Sequence, residues 1–492
     1  MKQKEAAAPG SAGLRPNNAK PQPGRATPQA GSAKNCLPDE VRLPEMLFGY
    51  LAGPFGALLA NGIFACVLNK YLTDVLRLDT GFLSRLQLFS TVPIVAANLL
   101  VGQLIEHTRT MTGKARPWIL FSALTLSVGS VLMFVMPFDG PARRVWIAVA
   151  YHAFYAVAFP IYNTANAALV SVSTRESAKR STLASLTTIA NLCVMLVASV
   201  GFPVLVSNVL HENLSRWFFA MTVVGGFAAM TILLQYRFTR ERITEEVRGR
   251  TDAGQKNIAP SVGAQLKAAM REKWWWIAIL FHICYQWSNA MKNGSAVYFC
   301  QWVADLSPVG GDYGSAQSLL ALLGAAPMVV VAVFVVPLAQ RFGKRRLVLW
   351  GMAVSVAGGL LVAAGGRNLI LVGAGTAVKC FGAGPAAFLT LAMLTDVVDH
   401  IEYRSGLRTD GLTMSIYSAL MVAGTPICNA VFMALLRGYD ATLAVQSAEV
   451  QRVIAFSYVW VENIAYLMGA VLIYLWTAEK TLSEERAGKV PS

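Results

Sequence analysis

The sequence predicts an all-α membrane protein with twelve transmembrane helices in two six-helix halves. Three observations carry this: a charge deficit spread over most of the chain, apolar windows long enough to span a bilayer, and one long polar stretch at the middle. Of 492 residues, 55% are hydrophobic and 14% charged, where a soluble domain carries about 25% charged residues. A spanning helix needs about 20 apolar residues. Windows of that length fall at 47–69, 86–106, 117–137, 145–171, 183–208 and 217–236. After the polar stretch Arg237 to Lys273, six more fall at 274–303, 318–339, 347–365, 369–395, 411–436 and 452–477. The expected organisation is a tail over 1–44, a bundle over 45–236, a linker over 237–273, a second bundle over 274–477 and a tail over 478–492.

The first tail is rich in Pro, Gly, Ala and Lys, with no apolar run long enough for a signal peptide. This composition predicts disorder. The formal charge is +15, which in a soluble protein would point to nucleic acid. Here the basic residues sit in short loops between apolar segments, so they report orientation and no nucleic-acid partner is expected. The loops after segments 2, 4, 6, 8 and 10 hold 21 Lys and Arg, and those on the other side about 8. That bias places both termini and the linker on the cytoplasmic side of a plasma membrane. Six of the seven cysteines (all but Cys36) lie in apolar segments without C-x-x-C pairing and read as buried hydrophobes.

Three patches stand out. The strip Thr395 to Gly411, TDVVDHIEYRSGLRTDG, is a dense run of charge wedged between two apolar segments. GQLIEHTRTMTGKARPWIL runs from Gly102 to Leu120, and YLTDV from Tyr71 to Val75 closes the first segment. Gly-Lys-x-Arg recurs at Gly113 to Arg116 and Gly343 to Arg346, after segments 2 and 8. This weak internal repeat is what a duplicated transporter built of two rocking halves would show.

Together the patches resemble the glycoside–pentoside–hexuronide:cation symporters, the melibiose permease branch of the major facilitator superfamily. Asp396, Val397, Asp399, Glu402, Gly406, Arg408 and Gly411 stand as in that family's D-x-x-D-Y-x-E-x-x-x-G-x-R-x-x-G pattern, with His400 in place of Tyr. The resemblance implies the major facilitator fold, two pseudo-symmetric six-helix bundles acting as a monomer. It further implies a small polar solute, often a sugar or glycoside, and a co-transported cation, H+ or Na+, without other cofactor. Transport would proceed by alternating access. The family's cation site uses carboxylates on helices 1, 2 and 4. A gap-free register from the shared patches puts Ala57 and Leu58, then Ile94 and Asn98, then Asn163 at those places. The basic position of helix 5 becomes Thr188 and the helix 11 lysine becomes Val422. Asn98 and Asn163 offer oxygens but no charge, so sodium coupling at that site is doubtful on ligand chemistry alone.

Asp396, Asp399 and Glu402 are spaced by three and share a face if the helix continues. With Arg408, and with Glu106, Arg109, Lys114 and Arg116 of the other half, they form a candidate cytoplasmic gate. Acids of one half would meet bases of the other when the carrier faces outward. Solvated loop charge of little energetic weight is the competing reading.

Segment 7 is the most polar span. His282, Gln286, Asn289 and Asn293 form one stripe, with Lys292 nearby, and a polar stripe within a membrane faces other helices or a wet cavity. Lys292 and Lys379 are the lysines deep within spans, and a buried ammonium needs a partner. An acidic substrate such as a uronate would supply one; a protein acid is the alternative. Glu462, the acid inside segment 12, reads as snorkelling to the outer surface, with a proton carrier as its other role. In the first half, His152, Tyr155, Tyr162 and Asn166 repeat the stripe with Asn163 adjacent, facing Asn61 and Asn191. The substrate candidates are therefore His152, Tyr155, Asn163, His282, Gln286, Asn289, Lys292 and Lys379. Trp274, Trp275 and Trp276 read as interfacial anchors.

The chain lacks G-x-x-x-x-G-K-[ST] and H-E-x-x-H, so neither ATP-driven transport nor a metal enzyme is indicated. Asn213-Leu214-Ser215 is a glycosylation sequon in an expected outer loop. Two alternatives to a polar-solute carrier stay open. One is a lysolipid or amphiphile carrier, which should show an apolar lateral cleft. The other is a membrane solute sensor.

Overall fold

Helix boundaries follow the apolar windows closely in the computed structural model, which describes residues 41–108, 110–174, 176–242, 262–405 and 409–476. The spans are α1 (Glu45–Val75), α2 (Thr80–His107), α3 (Arg116–Leu132), α4 (Pro141–Ser173), α5 (Thr182–Leu210), α6 (Leu214–Phe238), α7 (Lys273–Trp302), α8 (Tyr313–Phe342), α9 (Lys344–Gly365), α10 (Leu369–Ser405), α11 (Leu412–Leu435) and α12 (Ala448–Leu475). Ten are long and apolar enough to cross a membrane by length and composition. The other two are α3, apolar but only 17 residues, and α7, 30 residues laced with polar side chains. They complete the expected twelve, six on each side of the linker. A short helix, Val262–Arg271, precedes α7.

Two of the boundaries that differ from expectation bear on the charged patches. α10 runs ten residues beyond its apolar window, to Ser405. The extension holds because Val397, Val398, His400 and Ile401 are buried on one side of it, so the charged strip rides on a packed helix. α1 likewise continues through YLTDV as a π-helical turn, Tyr71–Val75, whose first four residues are buried. Among several other π-helical turns, Phe456–Trp460 interrupts α12 just before Glu462; such turns re-aim the following side chains and gather at functional sites.

α9 and α10 approach most closely. A Cβ built on Gly358 would lie 2.4 Å from the Lys379 backbone nitrogen. One on Gly382 would lie 2.5 Å from the Gly351 carbonyl oxygen. Small residues let membrane helices meet backbone to backbone, and Ser355 Oγ adds a 3.0 Å hydrogen bond to the Lys379 carbonyl.

The two halves meet along three helix pairs: α1 with α7, α2 with α11, and α5 with α8. Hydrogen bonds between halves gather at the end of the bundle away from the linker, here called the distal end. Thr73 and Tyr298 hydroxyls lie 2.9 Å apart. Tyr439 Oη donates to Asp74 Oδ1 at 2.8 Å, and Lys70 bridges Asp74 and Gln301. Asn208 donates to Asp312 at 3.2 Å, and Ser318 to the Val200 carbonyl at 2.5 Å. Lys70 and Asp74 are nearly buried, so their 2.6 Å pair is shielded from solvent.

Trp274 and Trp275 do not sit at an interface. Both are buried in the second core, where Trp275 Nε1 donates to Thr413. Only Trp276 points outward, at 43% exposure. Three tryptophans in a row cannot share one helix face, because successive residues turn through about 100°.

Candidate functional site

In the second half, charge deep within the spans is concentrated in one place. Glu462 on α12 is fully buried and does not snorkel. Its Oε2 lies 2.5 Å from Lys379 Nζ on α10, and its Oε1 lies 3.3 Å from Lys292 Nζ on α7. Tyr466 Oη, one helical turn on, donates to Oε1 at 2.6 Å. The Lys379 ammonium also lies 5.6 Å from the centre of the Tyr458 ring, a favourable cation–π distance. Tyr458 comes from the π-helical turn, which thus covers the cluster with a ring while Glu462 faces inward. Gly358 sets the depth of Lys379 by admitting the α10 backbone.

The lysines therefore have a protein acid as partner, the alternative to substrate pairing. The match is incomplete, however, because one carboxylate serves two ammoniums. Lys379 is sealed, whereas the Lys292 side chain keeps 16% exposure. α7 packs against α1, α8, α10, α11 and α12, which leaves some of its polar groups partly exposed. Gln286, Asn289, Lys292 and Asn293 are all half-buried in this way, and Asn293 Nδ2 donates to Asn289 Oδ1 at 3.3 Å. His282, at the other end of the polar stripe, is buried against Tyr417, with ring centroids 4.0 Å apart.

The first-half candidates divide. Tyr155 is half-buried and packs against Phe64, Tyr151 and Phe154. His152 Nδ1 donates to the Ala148 carbonyl at 2.7 Å. Asn163 is half-buried, and Asn98 donates to the Ile94 carbonyl at 2.9 Å. Tyr162 and Asn166 leave the stripe: Gln235 of α6 accepts from Tyr162 and donates to Asn166, joining α4 to α6. That is helix–helix glue. Asn191 is exposed on α5.

Of the gate residues, Arg109 and Arg408 lie outside the described residues. Glu106 is exposed at the end of α2. Asp396, Asp399 and Glu402 do share one face of α10. Asp396 pairs with Lys344 of its own half at 2.7 Å. Arg116 donates to the Tyr236 carbonyl at 3.0 Å and stacks over that ring, again within its own half.

Sequence reasoning missed Glu241. Its carboxylate accepts the backbone N–H groups of Lys114, Ala115 and Arg116 at 2.9, 2.7 and 2.8 Å. α3 starts there without a side-chain cap, so an acid from the linker supplies the missing acceptor. Gly113 is needed beside it: φ is +117° and a Cβ would meet the Glu241 carboxyl carbon at 2.4 Å. Glu272 plays a similar part before α7, 3.6 Å from His400 and 3.4 Å from Arg404. Burial alone would raise its carboxyl, but His400, the Trp274 N–H and Arg404 outweigh that and hold it below its ordinary 4.5.

An apolar cleft of about 780 Å³ opens sideways between α1, α5 and α6, lined by Ile63, Val197, Phe202, Phe219 and Val223 with Arg216 at its rim. It shares no lining residue with the Lys292–Glu462–Lys379 cluster.

Residues 49–479 match the family model described as MFS/sugar transport protein. The chain belongs to that family, and is thus a multi-pass integral membrane transport protein of small-molecule substrates. It is 26% identical over 461 residues to the isoprimeverose transporter of Lactiplantibacillus pentosus, covering 91% of this chain and 90% of that one. It is also 26% identical over 418 residues to a putative glycoside/cation symporter of Escherichia coli (strain K12), covering 83% and 86%. A glucuronide carrier protein homolog from the same strain is 24% identical over 438 residues, covering 87% and 92%. Among solved structures, the nucleoside transporter NupG superposes with a TM-score of 0.57 at 11% identity, covering 90% of this chain and 99% of that one. At that identity the likeness shows the fold.

Proposed function

We propose that the protein carries an acidic sugar, a uronate or a comparably charged glycoside, by alternating access between the bundles 45–236 and 274–477. The observation that carries this is the Lys292–Glu462–Lys379 cluster: two ammoniums share one carboxylate, and the less buried ammonium borders the polar stripe of α7. A substrate anion on Lys292, with hydroxyls on Gln286, Asn289 and Asn293, matches what that face offers. His152, Tyr155 and Asn163 would approach the sugar from the other half. The relatives' names support a sugar-type cargo and speak for cation coupling. The uncharged Asn98 and Asn163 speak against sodium as that cation. The lateral cleft would suit a lipid tail, but it is lined by apolar side chains of lipid-facing helices and stands apart from the cluster.

Lys292→Gln is expected to lower uptake of D-glucuronate about tenfold or more, as loss of a charge-assisted hydrogen bond of about 1.5–3 kcal/mol requires. Uptake of D-glucose or a neutral glycoside by the same variant should change far less. Equal losses for both in proteoliposomes would sink the acidic-sugar reading.

The charge bias of the loops supports both termini and the linker being cytoplasmic. With the distal end tied shut, this conformation then faces inward. In the outward-facing state Asp399 would meet Arg116 across the halves, biasing the equilibrium by pairs that form in one state only. Swapping the charges, Asp399→Arg with Arg116→Asp, should restore a good part of the transport lost in either single variant. Failure of rescue in that pair and in the neighbouring Glu402–Lys114 pair would leave these charges as solvated loop residues.

A further inference from the structure

Deep within α7 to α12 the charged residues are Lys292, Lys379 and Glu462; Asp396, Asp399, Glu402 and Arg404 lie in the extension of α10 beyond its apolar window, and Glu449 and Arg452 in the first turns of α12. Among the described residues, the facing stretches of the first half bring no counter-charge to them: Lys70 and Asp74 neutralise each other at the distal end, and Arg85 lies in the first turns of α2. The cluster therefore holds one positive charge more than its protein partners cancel. A buried charge without a partner is costly, and the cost is greatest when both ends of the pathway are closed and water is excluded. Every passage between inward- and outward-facing states goes through such a closed arrangement. With a monoanion on Lys292 the cluster is neutral. Without one it is not.

From this imbalance we propose that the protein is an anion exchanger: it reorients when a monoanionic sugar neutralises the cluster and stalls when empty, so one anion enters as another leaves. The inference rests on the acidic-sugar reading above and goes beyond it, since cation symport would need an empty carrier that returns freely. It also accounts for a site whose family positions bear Asn98 and Asn163 instead of carboxylates, because an exchanger needs no bound cation to complete its cycle. Lys379 fits the same scheme. Sealed against Glu462, it fixes the carboxylate in place, so the accessible Lys292 is the one left to the cargo.

The test uses the full chain in proteoliposomes, with D-glucuronate as the probe. Uptake of labelled D-glucuronate is compared in vesicles preloaded with unlabelled D-glucuronate and in vesicles loaded with osmotically matched neutral D-glucose. Membrane potential is clamped, and proton and sodium gradients are imposed in turn. Exchange predicts uptake at least about tenfold faster into the preloaded vesicles, with little change on imposing either cation gradient. Lys292→Gln removes the surplus charge, so its residual uptake should lose most of that preference; Lys292→Arg keeps the charge and should keep the preference. Equal uptake into both vesicle types overturns the proposal. So does uptake into glucose-loaded vesicles that an inward proton or sodium gradient raises to the exchange rate. If D-glucuronate enters neither vesicle type and does not quench tryptophan fluorescence on binding, the acidic-sugar reading itself falls and the exchange inference with it. Binding without a preference for preloaded vesicles removes the exchange inference alone.

Discussion

Glu462→Gln is expected to destabilise the folded protein by about 3–5 kcal/mol, the range for breaking a buried ion pair on one side. The substitution is nearly isosteric and leaves Tyr466 a hydrogen-bond acceptor, so packing is not what changes. What changes is that Lys379, with a side chain 1% exposed, and Lys292 lose the carboxylate at 2.5 and 3.3 Å that accompanies them into the membrane. Thermal unfolding in detergent, followed by intrinsic fluorescence, should show the loss directly. Lys379→Met in the same chain should recover much of it, since it removes the buried ammonium that the first substitution leaves without a carboxylate. Lys292→Met should recover less, because the Lys292 ammonium already reaches water. A Glu462→Gln variant that melts like its parent would mean that the three side chains are not coupled as the distances require.

The cluster shows which part of a site can be read from a sequence. Lys292 and Lys379 stand out in the chain because lysine deep in a span demands a partner. That Glu462 is their partner does not, because pairing α7 with α10 and α12 is a matter of tertiary register. Glu462 reads as snorkelling at its position in segment 12; the fold instead buries it, just after the π-helical turn Phe456–Trp460, against α7 and α10. The polar stripe on α7 was legible for a simpler reason: four polar residues at helical spacing in an apolar span identify one face without any neighbour. The same reasoning failed for Tyr162 and Asn166, where an α6 glutamine 69 positions from Asn166 decides that they bind helices together.

The charged patches divide along the same line. The gap-free stretch through Asp396, Asp399 and Glu402 foretold their common face, because periodicity is local. The apolar window could not foretell that α10 persists to Ser405, since its buried side there is built from residues inside a charged run. Glu241 left no local trace at all. The signal available was an uncapped helix start after Gly-Lys-Ala-Arg-Pro, a place where backbone N–H groups need an acid from somewhere. Only the fold says which acid.

The second large effect belongs to a residue with no side chain. Gly358→Leu should prevent α9 and α10 from closing and cost about 3 kcal/mol or more by overpacking. A Cβ at this position would stand 2.4 Å from the Lys379 nitrogen and 2.7 Å from its Cα. Both are main-chain atoms of a neighbouring helix and cannot swing aside as a flexible side chain would. The strain has two outlets. α10 can move outward, breaking the Ser355–Lys379 hydrogen bond and drawing the Lys379 ammonium away from Glu462, or the bundle can fail to assemble. The first outlet predicts a folded variant whose melting temperature falls and which no longer loses stability when Glu462→Gln is added, because the pair is already broken. The second predicts little protein in the monodisperse peak after detergent extraction. Gly226, with nothing within 4 Å of its would-be Cβ, is the control: Gly226→Leu adds the same side chain to α6 and should leave both extraction and melting close to those of the parent. Tolerance of leucine at Gly358 with the Glu462→Gln penalty intact would mean that α9 does not set the depth of Lys379.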